Sequence, residues 1–288
     1  MLRILVPVDF SRNTNAGIRY AVNFALHTKS TLIFFHCSEV LIPTGSSKES
    51  FRNATERDLA IKEKRLIKKI DLVRKSMVDL LEGVPTEYVV SSGGVVTNRI
   101  IEAVKEQKAD LLIMATHGAS GLKKLFMGSV TSEIIGETDV PVLAIPIRYR
   151  YKPINTIVYA CDMKNFDGEV FQVLTFSNLI GATVEVLTFN HPVATDRRRR
   201  EKLKGCAISY SVLTLGDTSL LEHLKNHLKS RAGAVLCMFT GQQNWWNKLI
   251  GSSKTKELAM QLTFPLLAFS KTGRKWGTRF NISDSVKS

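Results

Sequence analysis

Two stretches of this chain, about half a chain apart, share one arrangement of residues, and that duplication constrains the fold more than any other feature. In the first, the apolar run Asp110-Leu-Leu-Ile-Met-Ala115 leads to Gly118, nine residues intervene, and Gly128-Ser129 opens a helical pattern. In the second, Ala234 to Thr240 leads to Gly241, nine residues intervene, and Gly251-Ser252 follows. Each stretch then reaches a short apolar strand headed by a proline, Pro141–Ile145 and Pro265–Phe269. The two halves also begin alike: Ile4 to Asp9 and Thr156 to Asp162 are β-type runs closed by an aspartate. A repeat of roughly half the chain is a duplicated domain and not a solenoid unit.

Strand and helix patterns alternate within each half, which predicts a parallel sheet with helices on its faces. The first half reads as strands Arg3–Val8, Thr31–Cys37, Thr86–Ser91, Asp110–Ala115 and Val140–Ile145. Its helices read as Thr14–Thr28, Asn53–Leu81, Thr97–Gln107 and Ser129–Glu137. The second of these carries Leu59, Leu66, Ile70, Val73, Met77 and Leu80 at helical steps, a core-facing stripe. The segment before it, Leu41 to Ser50, is polar and turn-rich and reads as a loop. The second half repeats the order with strands Thr156–Cys161, Thr183–Phe189, Ala207–Leu213, Ala234–Thr240 and Phe264–Phe269. Helices fit at Gly168–Leu179, Leu220–Ser230 and Ser253–Leu262, and the long second helix has little room to recur. The fold class expected is α/β, two tandem open five-stranded parallel sheets with flanking helices. Residues 1–150 form the first domain, 151–271 the second, and 272–288 a basic tail.

A strand that opens into a glycine-bearing loop and then a helix N-terminus is suited to an anion, because backbone N–H groups and the helix dipole both face it. In open parallel sheets ligands bind outside the carboxyl ends of strands, which here brings Asp9 and Gly118 to one crevice. The Gly118…Gly128-Ser129 spacing resembles the ATP loop of the universal stress protein family, and with it the chain resembles a tandem member over about residues 1–270. The family form carries a glycine where Ala115 stands. The resemblance implies a Rossmann-like fold of the adenine nucleotide alpha hydrolase type and an ATP site served by Mg²⁺ with no direct protein ligand to the metal. It implies that Pro7 and Asp9 flank adenine and ribose and that the backbone of Cys37 borders adenine. Met114, Ala115 and Gly118 then line the ribose and inner phosphates, and Gly128, Ser129 and Val130 take the outer ones. The second copy keeps Asp162, Gly241, Gly251 and Ser252, but has Ala160 in place of Pro7 and Met238 in place of Ala115, and sets Trp245 and Trp246 inside its loop. A degenerate second site is expected.

The function implied is nucleotide-dependent regulation during stress, with slow ATP hydrolysis or phosphotransfer as the alternative. His117 has no nucleophile or carboxylate beside it in sequence and reads as a loop residue, so no catalytic residue is assigned. A net charge of +14 raises a third reading, binding of nucleic acid or another polyanion, with Arg197–Arg200 and the tail holding much of the excess. No aromatic-basic recognition motif accompanies that charge, so nucleic acid is disfavoured. The family resemblance implies an intramolecular pseudo-dimer through the last strands, leaving open a homo-oligomer and an unidentified protein partner. No apolar run is long enough to span a membrane, and the start of the chain has no signal-peptide layout, so a cytoplasmic location is expected. The four cysteines lack paired spacing and read as buried thiols.

Overall fold

The computed structural model describes residues 1–38, 47–77, 83–116, 129–161, 163, 165–189, 203, 205–213, 220–239 and 264–270. The chain folds as two compact units, one built mainly of residues up to Tyr151 and the other mainly of Lys152 onward.

The first unit holds β1 (Arg3–Pro7), α1 (Thr14–Thr28), β2 (Thr31–Ser38), α2 (Lys48–Lys75), β3 (Thr86–Ser92), α3 (Val96–Glu106), β4 (Leu111–Ala115), α4 (Ser129–Glu137) and β5 (Val142–Ile145). Its sheet runs in the order β3-β2-β1-β4-β5 with all neighbours parallel. Ile4, Leu5, Leu32, Ile33, Phe34, Leu111, Ile113 and Leu143 are wholly buried, as strands covered by helices on both faces require. Because the chain enters at β1 and winds outward first through β2 and β3, then back through β4 and β5, the order reverses between β1 and β4. At the amino-terminal end of β1, Arg3 forms a two-bond pair with Glu87 at 2.9 and 2.8 Å, donates to the Gln107 carbonyl at 2.8 Å, and its backbone N–H donates to Asp110 at 2.9 Å.

The long helix differs from the sequence expectation. It starts at Lys48, where the Ser47 hydroxyl accepts from the Ser50 N–H at 3.1 Å and Glu49 lies in the first turn. Residues 48–50 are therefore helix, not loop. The cap and the favourable early carboxylate start the helix about three turns before its apolar stripe begins at Leu59. Leu66, Ile70 and Val73 are buried, whereas Leu59 and Met77 are only half-buried; Leu80 lies outside the described residues.

The second unit holds β6 (Thr156–Ala160), α5 (Phe166–Ile180), β7 (Thr183–Phe189), β8 (Ile208–Leu213), α6 (Leu220–Lys229), β9 (Ala234–Phe239) and β10 (Leu266–Phe269). Its parallel order, β10-β9-β6-β7-β8, repeats that of the first unit. Its core is aromatic: Phe239 stacks on Phe269 at 5.0 Å and meets Tyr159 edge-on at 5.8 Å. Gly233 is held at φ 73°, and a Cβ there would meet the Pro153 carbonyl oxygen at 2.3 Å, so the turn into β9 requires glycine. Buried Glu185 on β7 gathers Ser211 at 2.5 Å, His227 at 2.9 Å and Arg231 at 2.8 Å. Burial alone would raise the Glu185 carboxyl, but hydrogen bonds from His227 and Ser211 and the charges of His227 and Arg231 outweigh it and hold the group below its usual range. The predicted helix Ser253–Leu262 and the tail lie outside the described residues.

Candidate functional site

The turn that leaves β1 is built by its own residues. Val8 N–H still donates to the Phe35 carbonyl at 2.7 Å, and the chain then bends through Phe10, which takes a left-handed φ of 61°. Exposed Asp9 closes the bend: its Oδ1 accepts from the Ser11 N–H at 3.0 Å and from the Thr14 hydroxyl. Thr14 is the first residue of α1, so this carboxylate fastens strand to helix while staying on the surface.

Phe10 packs against two side chains. Its ring lies 4.2 Å from the imidazole of His36, and the Arg65 guanidinium sits over it at 4.3 Å. His36 Nδ1 donates to the Val8 carbonyl at 2.7 Å; a carbonyl only accepts, which fixes the tautomer. Burial lowers the His36 pKa, Lys62 and Arg65 lower it further, and the Val8 bond and Asp58 oppose them. Lys69, one helical turn on from Arg65, donates to the Ser11 carbonyl at 3.2 Å. Burial depresses its ammonium, partly offset by the charge of Asp9. Two cations of α2 therefore border the Asp9 turn.

The other wall comes from β4. Parallel pairing of Ile4 with Leu111 and Leu5 with Leu112 sets the ends of β1 and β4 side by side, so Pro7 and Asp9 adjoin Met114 and Ala115. Pairing of Pro7 with Phe35 brings half-buried Cys37 along the far side of β1. Ala115 packs where α1 has no side chain: a Cβ on Gly17 would lie 3.1 Å from Ala115 N and 3.7 Å from its methyl carbon. Thr131 donates to the Ala115 carbonyl at 3.3 Å, tying α4 to the strand it follows. Helix α4 opens at Ser129, followed by Val130, with no acidic residue in its first turn. Gly118 and Gly128 lie outside the described residues, as does His117. Of the expected site, Pro7, Asp9, Cys37, Met114, Ala115, Ser129 and Val130 are thus described. Phe10, His36, Arg65 and Lys69 were not anticipated. The signal for the two cations was legible, since Arg65 and Lys69 each immediately precede a stripe residue, Leu66 and Ile70.

In the second unit Asp162, Gly241, Gly251 and Ser252 lie outside the described residues, together with Trp245 and Trp246. The bend itself recurs: Met163, one residue past Asp162, has φ 65°, and its N–H donates to the Cys161 sulfur at 3.1 Å. Below it the buried Tyr159 hydroxyl donates to buried Glu169 at 2.5 Å, where the aspartate-to-aspartate alignment puts Val6 and Ala16 in the first unit. Burial, then the neighbouring Cys161 and Glu169, push the Tyr159 phenol well above its ordinary value. Met238, in the place of Ala115, is 2 % exposed. None of the four cysteines is in a disulfide; Cys161 and Cys237 are buried as expected, whereas Cys37 and Cys206 are only half-buried. Among the described residues no helix is long and apolar enough to cross a membrane.

Residues 1–146 match the model of the Universal stress protein family. A universal stress protein of Thermus aquaticus is 33% identical over 142 residues, covering 49% of this chain and 96% of its own. A second, of Methanocaldococcus jannaschii, is 26% identical over 157 residues, covering 50% of this chain and 93% of its own. Among solved structures, a universal stress protein from Archaeoglobus fulgidus superposes with a TM-score of 0.61 at 16% identity, covering 93% of this chain and 96% of that one. That likeness extends the fold to both units.

Proposed function

Since the chain belongs to the universal stress protein family, we propose that its first unit binds ATP and that nucleotide occupancy serves a regulatory role in stress adaptation. The observation that carries this reading is the reversal of strand order between β1 and β4, which opens a crevice at their carboxyl ends. The residues around it suit an adenine nucleotide. Asp9 is exposed at one wall, the Cys37 backbone runs beside β1, and α4 begins beside the other wall with no carboxylate in its first turn to repel phosphate. Lys69 and Arg65 add positive charge along the Asp9 turn. The methyl of Ala115 packs beside Gly17, where α1 has no side chain.

Pro7, Asp9, Cys37, Met114, Ala115 and Gly118 are assigned to the nucleoside side, and Gly128, Ser129 and Val130 to the phosphates. Mg²⁺ would arrive with the nucleotide and offset its phosphate charge, with no protein side chain assigned to hold it directly. Asp9 already accepts two hydrogen bonds within its own turn, a positioning role and not that of a general base. Binding, not hydrolysis, is therefore the reading carried forward.

Calorimetric titration of the full chain with ATP and Mg²⁺ tests it. The expected dissociation constant is roughly micromolar, and Gly128→Leu should abolish it by filling the space a phosphate needs. Equal affinity in the two proteins would reject the site.

A further inference from the structure

The first unit also contains a cavity of about 550 Å³ that shares no residue with the ATP crevice. One wall is the face of α1 bearing Ala16, Arg19, Tyr20 and Asn23; Met77, just past α2, forms the floor. The remaining wall is the segment that leaves β5, Ile147 to Tyr151, turned back by the Tyr149 N–H donating to the Pro146 carbonyl at 2.9 Å.

Three arginines line this space, Arg19, Arg148 and Arg150, and no carboxylate is among the described residues that line it. Arg19 is steadied by its contact with the Ser76 hydroxyl at 3.3 Å, while Arg148 and Arg150 are exposed. Three tyrosines interleave with them. Tyr20 meets Tyr151 edge-on at 5.0 Å and Tyr149 at 6.1 Å. Tyr20 is 1 % exposed, and its buried hydroxyl has no hydrogen-bond partner among the described residues; nor has the buried hydroxyl of Tyr151. Burial raises the Tyr20 phenol well above its ordinary value, and Tyr149 and Tyr151 add to the effect, as expected of phenols that converge.

Leaving a buried hydroxyl without a partner costs about 1–3 kcal/mol, and one cavity bordered by two of them is unusual in a native fold. Each keeps a proton free to donate. The surrounding guanidiniums make an anionic acceptor the best match, since a planar fork binds a carboxylate or phosphate with two hydrogen bonds. The faces and edges of Tyr149 and Tyr151, with Met77 and Ile147, suit a flat apolar body. The volume lies in the range of small-molecule sites.

We infer that this pocket is a second ligand site of the first unit, for a small aromatic acid whose anionic head is held by Arg148, Arg150 and the Tyr20 and Tyr151 hydroxyls. Arg19 closes the site from α1. Because the segment from Ile147 to Tyr151 ends the first unit, ligand bound there fixes the residues through which the chain passes onward.

The test uses the full chain with ATP and Mg²⁺ present in excess, so that the nucleotide crevice does not compete for the probe. Phenyl phosphate and 4-hydroxybenzoate carry the two candidate heads, and inorganic phosphate is the head alone. Ligand-observed NMR with titration should show saturable binding of at least one aromatic probe, tighter than inorganic phosphate by at least about tenfold. Arg148→Ala with Arg150→Ala should weaken it by about tenfold or more. Both arginines are exposed, so this variant folds. Tyr20→Phe, which removes only an unpartnered hydroxyl, should weaken binding several-fold without lowering the melting temperature. The site is overturned by either of two outcomes: no saturable binding of either aromatic probe, or binding unchanged in the double arginine variant.

Discussion

The His36 imidazole and the Val8 carbonyl meet at 2.7 Å, and this bond links the end of β2 to the residue before Asp9. It works only with a proton on Nδ1, and the ring is buried beneath Phe10. The folded pKa is depressed below the ordinary histidine value, chiefly by burial. A group depressed in the folded state contributes stability above its unfolded pKa and loses it as pH falls through the folded one. Thermal stability should therefore drop between about pH 6.5 and more acid values. His36→Gln, which keeps a donor but does not titrate, should flatten that part of the profile. A variant with the same acid slope as the parent would show that some other group is responsible.

Close packing of α1 on β4 gives a second expectation. Gly17 leaves only 3.1 Å between a notional Cβ and Ala115 N. Gly17→Val should therefore force helix and strand apart, lowering stability by about 1–3 kcal/mol. Urea denaturation with fluorescence detection would measure it, and an unchanged midpoint would mean that the contact yields freely.

In the second unit the Tyr159–Glu169 bond joins two side chains with 0 % and 4 % exposure. Tyr159→Phe keeps the ring in its aromatic cluster and removes one donor to a buried carboxyl. The expected loss is about 1–3 kcal/mol, seen as earlier unfolding of this unit by hydrogen exchange. Protection equal to that of the parent would remove the bond from any account of the core.

Stoichiometry separates the two copies. One ATP per chain is expected, since Met238 fills the place of Ala115 and Ala160 replaces Pro7. Equilibrium dialysis should show Asp9→Ala weakening binding by about tenfold or more, while Asp162→Ala leaves it alone. Two nucleotides per chain would contradict this asymmetry, as would the opposite pattern of losses.

Much of the scaffold was legible because parallel strands covered on both faces must be continuously apolar, and helices between them must be striped. Thr14–Thr28, Ser129–Glu137 and Thr183–Phe189 coincide with the ranges read from sequence. The start of α2 was missed because its first turns bury nothing; only Ser47 and Glu49 mark them. The Phe10 stack was hidden for a different reason. A phenylalanine has no intrinsic preference for φ 61°, and its partners come from β2 and α2, far apart in sequence. Tertiary contact selects that conformation, so no local pattern announces it.

The left-handed bend at Phe10 has its counterpart at Met163, with φ values of 61° and 65°. Neither residue is glycine, so each copy bears a conformational penalty of about 1 kcal/mol. The flanking side chains have diverged, from proline to alanine before the aspartate and from Phe10 to Met163 after it. A bend kept while its chemical dressing changes belongs to the route from strand into helix and not to any ligand. The second copy therefore keeps the turn that leads its first strand into its first helix, while the side chains that dress that turn have been replaced.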